Sequence, residues 1–229
     1  MIPNAIHYCW VGRGPKSKKI EHCIASWRKY CPDYQIIEWN EDNFDVNRNG
    51  YTRMCYEQRK FAFLSDYVRL LVLEQQGGFY FDTDVEVVRP IDALCNHKAF
   101  IGFETDYYVN TGQGFGCEAH NPAIRAMLAA YDDFLDGSQG TQGCPILNTR
   151  ALEGFGLVHN GEYQDLGAIS VYPRDYFNPY DAPTGRLFQT PNTYSIHWYA
   201  KSWMKKRTIL RSYLMKPVHR LFQRIGLRK

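Results

Sequence analysis

The chain has 229 residues, 45% hydrophobic and 22% charged, a balance that excludes a disordered or collagen-like polypeptide and allows one large core. Its formal charge of +3 hides a split: residues 201–229 hold ten Lys or Arg and no acid, leaving 17 basic against 24 acidic residues in the first 200. An acidic body of this kind lacks the basic groove that nucleic acid requires, which leaves nucleic-acid binding only as a minor reading of the basic tail.

Seven cysteines, an odd number without a C-x-x-C pair, argue for reduced thiols in a cytosolic setting and against a structural zinc site. No window approaches the roughly eighteen apolar residues of a spanning helix, and the N-terminus lacks the basic-then-apolar run of a signal peptide. Aromatics make up 15% of the chain and 17 residues are Tyr, which suits a cleft for flat or sugar-like ligands as well as it suits tyrosine-rich packing.

In chain order, "AIHYCWVG" predicts a first strand ending at Gly12. "KIEHCIASWRKY" places Ile20, Cys23, Ile24 and Trp27 at helical spacing, and "YQIIEW" follows as a second strand, a βαβ start. From Tyr56 to Gln76 there is no Gly or Pro; Phe61, Leu64, Val68, Leu71 and Val72 form an apolar stripe, and Gly77-Gly78 stops the helix. "FYF" then reads as a strand buried on both faces that delivers Asp82 and Asp84 at its carboxyl end, where open α/β sheets bind ligands. "AFIGFE" and "AISVYP" are later strands. "NPAIRAMLAAYDDFL" is a helix capped by Asn121 with Pro122 at its first position.

Strand alternation would point Asp82 and Asp84 to one face with Thr83 opposite. Two aligned carboxylates suit a hard divalent cation that keeps positions open for phosphate oxygens, although a D-x-D pair alone equally suits a solvated turn. In the preceding helix Ser65, Asp66 and Arg69 share a face, as a surface ion pair or as part of the same cleft.

The strings "IHYCWVG", "FAFLSDYVRLLVLEQQGGFYFDTDVEV", "YVNTGQGFG" and "YSIHWYAKSW", in this order, resemble family 32 of the glycosyltransferases, over roughly residues 1–204. That resemblance implies the GT-A fold, an α/β Rossmann-like sandwich with a mixed central sheet, and metal-dependent transfer of a sugar from a nucleotide-sugar, UDP-linked by preference, with retention of configuration. It implies Mn²⁺ or Mg²⁺ on Asp84, with Asp82 contacting the metal or the donor ribose and His197 a further ligand or diphosphate contact. Trp10 would stack on the base, and Ser65 and Tyr80 would approach the phosphates and ribose. Asp66 and Arg69 would hold sugar hydroxyls, Asn110 would face donor sugar or acceptor, and Trp198 or Trp203 would close over the nucleotide.

Beyond this domain, residues 205–229 alternate basic residues with Ile209, Leu210, Leu214, Leu221 and Phe222, and predict a basic helical tail. Such a segment fits an anionic membrane surface on the cytoplasmic face, where a lipid-linked glycan acceptor for capsular or surface polysaccharide would be elongated. A solubilising end is the plainer alternative for the tail. Two other readings of the whole chain are a membrane-tethered scaffold that binds sugar nucleotides without turnover and a DxD phosphatase. The phosphatase family normally places glycine after the second Asp, where this chain has Val85.

Overall fold

The computed structural model describes residues 1–200, 208, 211 and 214–224, of which 221–224 by backbone alone. Twelve strands and seven helices are described. The first half comprises β1 (Ala5–Cys9), α1 (Lys18–Tyr30), β2 (Gln35–Trp39), α2 (Gly50–Glu57), α3 (Phe61–Gln76), β3 (Gly78–Tyr80), β4 (Val85–Val87), β5 (Ala99–Phe103), β6 (Val109–Asn110) and β7 (Phe115–Cys117). The second comprises α4 (Pro122–Ala129), α5 (Cys144–Glu153), β8 (Gln164–Asp165), β9 (Ser170–Tyr172), α6 (Arg174–Phe177), β10 (Tyr180–Asp181), β11 (Arg186–Leu187), β12 (Ser195–His197) and α7 (Lys216–Arg224).

Eight strands form one mixed sheet in the order β2-β1-β3-β7-β5-β9-β8, with β6 paired to β5. The β1-β2 and β1-β3 pairs are parallel, as the βαβ start predicts. Strand β7 runs antiparallel between β3 and β5, so β3 and β5 point the same way, and β9 is parallel to β5. The carboxyl ends of β1, β3, β5 and β9 therefore lie along one edge.

Side-chain alternation divides the core into two layers. On β3, Phe79 joins Ile24, Trp27 and Phe100 on the α1 side, while Tyr80 joins Leu64, Val68 and Phe115 under α3. Burial on both faces explains the unbroken "FYF" run. The reversal into β3 needs Gly77 and Gly78, both at positive φ; a Cβ on Gly78 would lie 2.8 Å from the Ala5 carbonyl oxygen.

Two local expectations change. The apolar stretch from Tyr56 is not one helix: Arg59 takes φ +54°, and the Lys60 amide donates to Cys55 O at 2.8 Å, closing α2 before α3 begins. After Tyr80 the strand ends. Asp82 O accepts from the Val85 amide at 2.9 Å, so the two aspartates sit in a turn between β3 and β4 rather than in alternating register.

Beneath this edge His7 is 1% exposed and fully satisfied as a neutral ring. Its Nε2 lies 3.1 Å from Gly77 O, and its Nδ1 accepts from Trp39 Nε1 at 3.1 Å, which assigns the proton to Nε2. Burial pulls its pKa down to about 4, the Gly77 contact opposing. The unfolded chain takes up this proton near pH 6.5 and the folded one does not. Stability is therefore complete above that pH and falls as pH drops toward 4, by roughly 2–3 kcal/mol. Urea unfolding of the wild type and His7→Gln across this window checks it: the variant should show the shallower decline.

Candidate active site

The site lies at the shared strand edge, in a cleft of about 590 Å³. Arg69 of α3 is its buried support, 2% exposed. The Arg69 Nη2 donates to Asp66 Oδ1 at 2.8 Å, to Asp82 Oδ1 at 3.0 Å and to Ser65 Oγ at 3.0 Å. Its Nε donates to Ser65 O at 3.1 Å, and the guanidinium lies 4.8 Å from the Tyr80 ring centroid. Tyr80 adds a hydroxyl bond to Asp82 Oδ1 at 3.1 Å. One oxygen of Asp82 is thus fixed by Arg69 and Tyr80. The other faces Gly112, where an added Cβ would lie 2.3 Å from Oδ2, so no side chain fits there.

Burial pushes Asp66 up to about 6 against the pull of Arg69, and pushes Asp82 above its ordinary value for the same reason. Asp84 behaves oppositely. Burial would raise it, but His197 and the Ala200 amide more than reverse this and hold it below the usual carboxylate range. His197 is reciprocally raised: burial opposes, and the Asp84 carboxylate prevails.

The pairing of β12 with β4 supplies this third group, setting His197 opposite Val85 and its Nε2 3.3 Å from Asp84 Oδ1. Asp84 Oδ2 accepts from the Ala200 amide at 2.5 Å. Ligand atoms of Asp82, Asp84 and His197 all lie within 4.8 Å of one another. Two hard carboxylates and an imidazole suit Mn²⁺ or Mg²⁺. The Nδ1 of His197 is buried with no hydrogen-bond partner among the described residues.

Trp10, Ser65 and Asn110 line the cleft with Asp66 and Arg69. Trp10 Nε1 donates to Gly14 O at 2.8 Å, and Asn110 Oδ1 accepts from the Gly112 amide at 2.6 Å. Tyr80 is 1% exposed and reaches the site through Asp82, with no face open to a donor. Trp198 stands outside the cleft lining, its Nε1 donating to Glu86 Oε2 at 2.9 Å and its ring 5.2 Å from that of Tyr180. Trp203 lies outside the described residues.

Sequence reasoning passed over Glu104 and Tyr199, both in the cleft wall. Tyr199, at φ +50°, stacks on His197 with centroids 4.1 Å apart and donates to Glu104 Oε1 at 2.9 Å. Glu104 closes the quoted string "AFIGFE" at the end of β5, so a carboxylate at a strand terminus was its available signal.

The mixed eight-stranded sheet with helices on both faces is the architecture of the GT-A glycosyltransferases. The PaToxG glycosyltransferase shares this fold, with a TM-score of 0.53 and 24% identity over 67% of this chain and 69% of that one. Residues 17–101, with α3 and both aspartates inside them, match the family described as glycosyltransferase sugar-binding region containing DXD motif. Among curated proteins, the lactosylceramide 4-alpha-galactosyltransferase of Rattus norvegicus is 29% identical over 156 residues, 61% of this chain and 41% of that protein. The inositol phosphoceramide mannosyltransferase 3 of Schizosaccharomyces pombe is 26% identical over 108 residues, 44% of this chain and 29% of that protein. The chain thus matches less than half the length of either.

Proposed function

We propose that the chain transfers a sugar from a nucleotide-sugar, UDP-linked by preference, to a glycan acceptor, using Mn²⁺ or Mg²⁺ held by Asp82, Asp84 and His197. The observation that carries this reading is the convergence of these three side chains within 4.8 Å at the floor of the cleft. When bound, such a cation offsets the charge that a departing nucleoside diphosphate accumulates.

The chain's own residues do the rest. Trp10 offers an indole face for the base. Asp66 and Asn110 present polar groups to sugar hydroxyls, and the buried Arg69 holds Asp66 in place at 2.8 Å so that it orients without rearranging. Retention of configuration accords with the family resemblance. Two of the curated relatives are named for ceramide-linked substrates, which favours a lipid-linked glycan acceptor here, as in capsular or surface polysaccharide assembly. Among the described residues no helix is long and apolar enough to cross a membrane. We place the enzyme peripherally, with residues 205–229 on an anionic cytoplasmic membrane face.

A thermal-shift panel of UDP, GDP and nucleotide-sugars, each with and without Mn²⁺, tests the donor reading. Ligand at about a hundred times its Kd should add roughly 2.7 kcal/mol of stability. One nucleotide should raise Tm, and only with the metal present. No shift with any nucleotide would remove the donor reading.

A further inference from the structure

We infer that the β10-β11 hairpin, Trp198 and the C-terminal helix α7 together form a docking face for an anionic lipid surface, set beside the mouth of the cleft. This deepens the peripheral placement proposed above by naming which folded elements make the contact.

The first observation is where exposed apolar side chains fall. Ten large hydrophobic residues stand exposed among the described residues, and five of them belong to this module: Leu187, Phe188, Trp198, Leu214 and Val218. Phe188 is 51% exposed and Leu214 69%, an unfavourable arrangement in water unless something covers them.

The second is how α7 is held. Lys216 Nζ donates to Tyr180 Oη at 2.9 Å, His219 Nδ1 lies 3.1 Å from Pro183 O, and Arg220 Nε donates to Thr184 O at 2.7 Å. At about 100° per residue, positions 216, 219 and 220 occupy one side of the helix. Val218 occupies the opposite side, and Leu214 stands exposed two residues before the helix. The polar side is thus spent on the hairpin and the apolar side is left outward, the reverse of a helix packing into its own core.

The third is charge. Residues 201–229 carry ten Lys or Arg and no acid. The single acid of residues 180–187, Asp181, is buried, with the Arg174 guanidinium 3.6 Å away. Apolar side chains on a segment so rich in cations in its sequence complement an anionic lipid surface. The same cations would face one another across a two-fold pairing of copies, which disfavours a second copy as the occupant.

The module also adjoins the reaction centre. The Trp198 amide donates to Asp84 O at 3.0 Å, and the Trp198 ring rests on Tyr180, which α7 contacts through Lys216. A lipid surface held here lies next to the cleft, where a lipid-linked acceptor must enter.

The test is co-sedimentation of the full chain with phosphatidylcholine vesicles and with vesicles that also contain phosphatidylglycerol, at low and high salt. The wild type is expected to bind the anionic vesicles alone and to leave them as salt screens the charge. Phe188→Ser combined with Leu214→Ser should weaken that partitioning about tenfold or more. The double variant should keep its melting temperature and any Mn²⁺-dependent nucleotide shift. Undiminished binding by the double variant, or wild-type binding indifferent to lipid charge, overturns the proposal. So does a dimer in light scattering that the same substitutions abolish. A missing nucleotide shift alongside the expected vesicle behaviour would remove the donor reading and leave the docking face standing.

Discussion

Asp84→Asn should lose Mn²⁺-dependent nucleotide binding and reduce transfer by roughly 10²-fold or more, the scale expected when one charge-stabilising group is removed from a reaction centre. The substitution keeps size and shape, and the amide oxygen can still accept from the Ala200 amide that now bonds Oδ2. It removes the carboxylate that faces His197 Nε2 at 3.3 Å. The buried ring then loses the partner that raises its pKa and stays neutral, with no unpaired charge left inside. The fold should therefore survive while the metal site does not. Isothermal titration with Mn²⁺, far-UV dichroism and transfer assays on one preparation separate the two effects. Near-normal Mn²⁺ affinity would remove Asp84 from the proposed ligand set.

Arg69→Met should be the more damaging change to the fold, costing about 3–5 kcal/mol. Methionine fills much of the same volume, so the loss is electrostatic: Asp66 and Asp82 remain beside each other without the cation that joins them at 2.8 and 3.0 Å. At least one carboxyl would take a proton, and Asp66, already pushed up to about 6 by burial, is the readier acceptor. Adding Asp66→Asn should return part of the loss, because it deletes one of the two stranded charges. Urea denaturation of the single and double variants measures this directly. A single variant within about 1 kcal/mol of wild type would show that the guanidinium holds no essential charge there.

Much of this arrangement was legible in the sequence because it is local. Helix α3, the glycine stop and the buried strand follow one another between Phe61 and Tyr80, so periodicity and punctuation reveal them. The D-x-D pair was legible for a partly mistaken reason. Strand alternation was expected to align the carboxylates, whereas a turn from Asp82 to Val85 presents them.

What sequence could not supply was sheet order. Glu104 reaches the cleft because β5 runs parallel to β3 with β7 antiparallel between them. No local pattern encodes that arrangement. Gly112 lay inside a quoted glycine-rich string, yet only its approach to Asp82 shows which glycine cannot be exchanged. The break at Arg59 was hidden because the chain from Tyr56 contains neither glycine nor proline to mark it.

The pairing of β12 with β4 bears on how the protein comes into being on the ribosome. The first two of the proposed ligands are synthesised by residue 84 and the third only at residue 197, so a nascent chain can fold its first strands and α3 long before the three groups of the proposed cation site are together. Metal ions cannot then guide the early folding of this domain through that site. On the proposed ligand set they would seal a scaffold that is already assembled, and occupancy of the centre would signal that translation has passed β12.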